Sequence, residues 1–356
     1  MSNPTHRRAF LAAMVVTAAG PALAGGSDSI LAEWTTQSPA DAGFDSERLA
    51  AAIETAMTHR SRAVLALRGG RIVAERYAPG WDADRSLEVA SVGKSMLAVL
   101  TGMAIDDGHL RGLDQAAAEF VPEWRDGPRA AITLRHLLSM TSGLDDTGLV
   151  LRNVAGDQYA LNAAAPLKAA PGTAWSYNTA AYHLLFHILA RATDRPFEAY
   201  ARQRLLEPLG LTRTTWLTNQ GQGGAGPVTN YYTAASSARD LARFGLFCSQ
   251  GGVWNTRQLV SPAFIETMLA PSQELNPAYG LLWWVNSRPG VDAQGRNPGV
   301  RFPGSPSDTF AALGAGGQAV MVVPSRKLVV VRQGDPPGSG AMLPDLLAGV
   351  VGALKA

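Results

Sequence analysis

The sequence predicts an α/β (α+β) protein of two subdomains, in which an all-helical domain is inserted into a single α/β domain. Two observations carry this reading. Runs rich in β-branched and apolar residues lie near both ends of the chain, at 63–77 and 309–334, whereas the middle is alanine-rich and helical in pattern. A glycine-rich polar stretch at 219–230 then marks a loop that returns the chain to its first domain. The expected division is 1–24 as a removable leader, 25–88 with 225–356 as the α/β domain, and 89–224 as the helical insertion. The functional site is expected where the two meet.

The first residues, MSNPTHRRAFLAAMVVTAAGPALAGG, have a basic start, an apolar run from Ala9 to Ala19, and the small residues Ala22 and Ala24 before Gly25. That pattern reads as a cleavable export signal, too short in its apolar part to span a bilayer. The pair Arg7 and Arg8 gives it a twin-arginine character, and a periplasmic or secreted location follows as an expectation. Ser46 to His59 reads as a helix with Leu49, Ala52, Ile53 and Met57 on one face. The next segment, AVLALRGGRIVAERY, holds two β-rich runs around Gly69 and Gly70, a hairpin signal. Helical landmarks follow at 132–144, 171–196 and 197–209, then a helix at 238–252, a strand in YGLLWWVN at 279–286 and a long Pro- and Gly-rich loop at 287–308. Three strands and a closing helix at 341–354 complete the chain.

Composition narrows the function classes. The 356-residue chain carries 31 Lys and Arg against 29 Asp and Glu, and loss of Arg7 and Arg8 with the leader leaves 29 of each. A neutral chain gives no electrostatic case for nucleic acid or an anionic membrane surface. No apolar run after the leader is long enough for a membrane helix. Cys248, the single cysteine, cannot form an internal disulfide and sits among apolar neighbours, where packing is its expected role.

The chemistry is concentrated in LEVASVGKSMLAVL, where Ser91 and Lys94 stand one helical turn apart at the entrance of what the apolar spacing predicts to be a buried amphipathic helix. A lysine there is placed against the helix dipole, and a lysine of lowered pKa can act as a base toward the serine. The alternative is a helix-capping serine beside a solvated lysine. A P-loop is excluded, because Glu88 stands where its first glycine is required. Nor does any serine have the G-x-S-x-G elbow. His183 and His187 lie four apart, but Leu184 replaces the glutamate of a zincin, so packing is expected and no metal site is assigned. His136 is likewise expected to be structural. Tyr177 follows a Pro-Gly turn and precedes an apolar helical run. It reads either as a phenolate stabilised by the lysine, which could shuttle the serine proton, or as an ordinary half-buried tyrosine. Gly314, Gly316 and Gly317 would allow close backbone approach to a substrate, or mark a turn.

The stretches VASVGKSM, ITLRHLLSMTSGL, PGTAWSYNTAAYHLL, YGLLWWV and GAGGQAVMVVPSRKLVVV, in that order, resemble the serine hydrolases related to class C β-lactamases and penicillin-binding proteins, with their esterases and 6-aminohexanoate-dimer hydrolases. The resemblance implies that fold, with an antiparallel sheet flanked by the terminal helices. It also implies Ser91 as acylated nucleophile, Lys94 as its basic partner, Tyr177 as proton shuttle, and the backbone N–H groups of Ser91 and Gly317 as the oxyanion hole. Thr179, Asn178, Gly314, Gly316 and Trp283 fall at substrate-binding positions. In the Y-x-N motif Thr179 replaces the asparagine, and in the third motif glycine replaces the cation at Gly314. The expectation is therefore an exported, cofactor-free hydrolase of an uncharged small-molecule ester or amide. The rivals are a β-lactamase or D-alanyl-D-alanine carboxypeptidase, or a catalytically idle binding protein, and oligomeric state is left open.

Overall fold

The computed structural model describes residues 34–147, 149, 157–219, 230–297 and 299–355. The expected leader at 1–24 and nearly all of the expected loop at 219–230 lie outside them. Helix α1 (Ser46–Thr58) leads into β1 (Ser61–Arg68) and β2 (Arg71–Tyr77), followed by β3 (Ser86–Glu88) and α2 (Val92–Asp106). The helical stretch continues with α3 (Leu134–Leu138), α4 (Gln158–Ala164), α5 (Thr179–Thr193), α6 (Phe197–Ala201) and α7 (Glu207–Leu209). Then come β4 (Thr215–Thr218), β5 (Tyr231–Ser237), α8 (Ala238–Ser249), the short pair β6 (Val253–Trp254) and β7 (Arg257–Gln258), and α9 (Pro262–Leu269). The chain finishes with β8 (Trp284–Val285), β9 (Phe310–Gly314), β10 (Gln318–Val323), β11 (Leu328–Gly334) and α10 (Met342–Gly352).

The main sheet has six antiparallel strands in the order β2-β1-β11-β10-β9-β8. Its strands are apolar on both faces, and the period-2 alternation divides them between two cores. Val64, Ala66, Met321 and Val330 pack under α1 and α10, whereas Leu65, Leu67, Val320 and Val331 face α2 and α8. This is why 328–331 reads as a continuous apolar run rather than an alternating one. The hairpin turn at Gly69 and Gly70 takes positive φ at both residues (57° and 81°), the geometry that glycine permits in a tight antiparallel turn. The terminal helices lie side by side, and Phe44 bridges Leu354 while Asp45 N–H donates to the Ala353 carbonyl at 2.8 Å.

Three features differ from the sequence expectation. Helix α2 is not amphipathic: every residue from Val92 to Ala104 is buried, the mark of a central helix enclosed on all sides. A second sheet, ordered β3-β5-β4, stands at the junction, with β4 closing the stretch read as helical. The expected strand at 279–286 is reduced to Trp284–Val285. Leu282 takes a left-handed φ of 59°, and its N–H bonds the Leu138 carbonyl while that of Leu281 bonds Met268. No helix of the described residues is long and apolar enough to cross a membrane.

Candidate active site

Ser91 is set in place by both sheets. Val89 N–H bonds the Ala234 carbonyl of β5 at 2.9 Å, and the Thr233 hydroxyl donates to the Ala90 carbonyl. Ala90 itself is held at φ 47°, a left-handed conformation costing an alanine about 1–2 kcal/mol. From the other side comes the end of β9: a Cβ on Gly314 would lie 2.2 Å from the Val89 carbonyl oxygen and 3.2 Å from Ser91 N, so only glycine fits. Ser91 occupies the N-cap position of α2, yet its side chain makes no capping bond. The hydroxyl instead accepts a hydrogen bond from Lys94 Nζ at 3.0 Å. That geometry disposes of the simple capping alternative.

Lys94 is buried, 2% exposed, and its depressed pKa follows from that. Burial lowers the amine from 10.5 to about 7, against an opposing pull from the charge of Asp146. Tyr177 stands over the same pair from the loop before α5. Its hydroxyl interacts with that of Ser91, and the Lys94 ammonium lies 5.1 Å from its ring centroid. Desolvation raises its phenol to about 12, and the Ser91 bond and the charge of Arg301 only partly offset this. Of the two readings, the lysine-stabilised phenolate is disfavoured: desolvation outweighs both offsetting contacts, and the phenol keeps its proton near neutral pH.

The remaining expected site residues separate into those near this pair and those committed elsewhere. Asn178 is buried and fully employed: its amide carbonyl caps α5 by accepting from Ala181 N–H at 2.7 Å, and its Nδ2 donates to the Leu144 carbonyl at 2.6 Å. Thr179 is partly exposed, and its N–H donates to Asp146 at 2.9 Å. Trp283 is not at the site. It is fully buried, stacked on Phe244 at 5.7 Å and edge-on to Phe310 at 5.3 Å. Its neighbour Trp284 is the site aromatic, stacked with Tyr177 at 6.0 Å and met edge-on by Tyr279 at 4.8 Å. Arg301 from the long loop lies over the Trp284 ring at 4.8 Å. Gly316 and Gly317 form the turn after Gly314, both at positive φ. The buried Arg332 donates to the Gly316 carbonyl at 2.6 Å, and a Cβ on Gly317 would meet that guanidinium at 2.8 Å. Gly317, expected to supply the second oxyanion N–H, sits in this turn, three residues past the Gly314 that packs against Ser91 N.

Asp146, Thr233 and Trp284 escaped the sequence reading. Asp146 is the second residue past the TSGL stretch, the one local signal that could have found it. Of the histidines, His136 accepts from Thr133 N–H at 3.1 Å in a capping box, and His183 packs on Tyr182 at 4.8 Å within α5. Cys248 is buried, and burial pushes its thiol well up.

Taken together, a doubly tethered serine, a buried lysine and a neutral phenol at the entrance of a central helix define the class. Residues 49–347 match the family model described as Beta-lactamase, and the chain belongs to that family of hydrolases. Among curated relatives it is 31% identical to Esterase EstB of Burkholderia gladioli over 36% of this chain and 38% of that protein. It is 27% identical to 6-aminohexanoate-dimer hydrolase of Paenarthrobacter ureafaciens over 58% of this chain and 57% of the relative. The chain thus spans less than two thirds of the length of either relative. The fold is that of a penicillin-binding protein homolog from Caulobacter crescentus, with TM-score 0.66 at 18% identity over 86% of this chain and 98% of that one.

Proposed function

We propose that this protein hydrolyses an ester or amide through an acyl-enzyme on Ser91. The observation that carries the reading is the 3.0 Å contact between Ser91 Oγ and a buried Lys94 whose amine is lowered to about 7. In the neutral form Lys94 takes the Ser91 proton as Oγ bonds to the substrate carbonyl carbon. The Ser91 N–H and a backbone N–H at the turn following Gly314 receive the oxyanion. As the bond to the leaving group breaks, Tyr177 gives up its phenolic proton and recovers one from Lys94, so no net charge is left behind. Water then repeats the sequence on the acyl-enzyme, releasing the acid and restoring Ser91.

An esterase and an amidase among the relatives support a substrate of this kind, and the apolar ring wall of Tyr177, Tyr279 and Trp284 suits an acyl or alcohol group of low polarity. Arg301 favours a second reading, a carboxylate-bearing substrate as in a β-lactamase or carboxypeptidase. The deciding experiment is fluorophosphonate labelling alongside hydrolysis of p-nitrophenyl butyrate. Wild type should label and turn over, and Ser91→Ala should do neither while keeping its circular dichroism spectrum. Equal turnover by Ser91→Ala would defeat the mechanism, and a folded wild type inert to both reagents would favour an idle binding protein.

A further inference from the structure

The Lys94 ammonium has three protons to donate, and the Ser91 hydroxyl is its hydrogen-bond acceptor. What fills the rest of its surroundings is the face of Tyr182, whose ring centroid lies 4.2 Å from Nζ, nearer than that of Tyr177 at 5.1 Å. Tyr182 is itself 1% exposed and immobilised. Its hydroxyl donates to the Tyr232 carbonyl of β5 at 2.6 Å, and its ring is braced by His183 at 4.8 Å and Phe186 at 5.6 Å. With its proton committed to a backbone carbonyl, Tyr182 is not a second shuttle. Its π face, however, is the negative surface a desolvated cation requires.

We propose that Tyr182 is a positioning residue for the acyl transfer: its ring face carries the Lys94 ammonium and aims the amine at Ser91 Oγ. The inference rests on the serine–lysine reading above. Without the ring, nothing on α5 would stop the lysine from swinging away from Ser91, and burial would press its proton off at lower pH. The groups facing Lys94 are accounted for. Asp146 approaches from the segment between α3 and α4, Tyr177 from the loop before α5, His183 from α5, and Thr233 and the Tyr232 carbonyl from β5, with Arg301 beyond Tyr177. Burial and Lys94 together hold His183 at about 3, and Tyr177 lies at about 12, so neither changes charge between pH 5 and 9.

The test is the acidic limb of kcat/KM against pH, measured for wild type, Tyr182→Phe, Tyr182→Leu and a series with fluorinated phenylalanines at 182. Tyr182→Phe keeps the ring and should keep the wild-type limb. Tyr182→Leu should move the limb about one unit toward acid, the size of a desolvated cation–π contact, and lower kcat with KM little changed. Should the leucine variant fail to fold, the fluorinated series decides, since each fluorine weakens the ring face without changing its shape and the limb should step toward acid accordingly. A purely structural tyrosine would reduce the amount of active enzyme and leave the limb where it was. A wild-type limb shared by all the ring variants overturns the role of Tyr182 alone. A wild type with no such limb, or full turnover in Lys94→Arg, overturns the serine–lysine reading and Tyr182 with it.

Discussion

At the scale of the residue, Lys94 sets a conflict between activity and stability. Its folded pKa of about 7 lies below the unfolded value, so below pH 7 the fold bears the whole cost of a buried ammonium. A shift from 10.5 to about 7 corresponds to about 5 kcal/mol. That cost fades as pH rises from 7 to 10.5, because only the unfolded chain still holds the proton there. Urea melts should therefore show stability climbing across this window in wild type. Lys94→Met should flatten that slope, be the more stable protein at pH 6, and turn over at least about a thousandfold more slowly. Lys94→Arg should also be inactive, since arginine does not release its proton. The functional limb runs the same way, with kcat/KM falling about tenfold per unit below pH 7 as the base is protonated. Ser91 and Lys94 were legible because their three-residue spacing on a helix is a local property. The state of Tyr177 was not, because desolvation depends on Trp284, Tyr279 and Arg301, which arrive from more than a hundred residues away.

At the scale of the element, the strand β9 and the helix α5 carry the site, and each offers a test. Gly314→Ala places a methyl group 2.2 Å from the Val89 carbonyl oxygen, so β9 must withdraw from Ser91. Activity should be lost while Gly340→Ala, with open space around it, behaves as wild type in the same ester assay. Asn178→Ala removes the cap of α5 and should cost about 1 kcal/mol in a denaturant titration. Arg301 decides between the two substrate readings. If the glycine at 314 sets preference, nitrocefin turnover should lie at least about tenfold below that of p-nitrophenyl butyrate. Arg301→Ala should then reduce any residual nitrocefin activity, with the ester little affected. Nitrocefin rivalling the ester would show that Arg301 replaces the missing cation. Long periodic segments such as α1, α5 and α8 were readable from the sequence, whereas β3 and β4, at three and four residues, are too short to establish a period. The exchange of Trp283 for Trp284 has a similar cause: adjacent residues face opposite ways, and the left-handed turn at Leu282 that decides between them leaves no mark in the sequence.

At the scale of the whole molecule, the antiparallel sheet and its terminal helices were legible in the sequence, and the smaller sheet was not, because β5 pairs with β3 and β4, which lie more than a hundred residues apart in the chain. Read as an export signal, the Arg7 and Arg8 pair with Ala22 and Ala24 before Gly25 predicts that protein recovered from a two-membrane bacterium begins near Gly25 and partitions to the periplasm. N-terminal sequencing that finds Met1 on a cytoplasmic product would refute this. A last consequence follows from the bridge between Phe44 and Leu354. Because the segments before α1 and after α10 meet side by side, the linear order of the chain is not a requirement of the fold. A circular permutant that joins these segments by a short linker and opens new ends at the exposed turn of Gly108 should keep both cores and the serine–lysine geometry. Its ester turnover would then measure how much of the activity depends on where the polypeptide starts and stops.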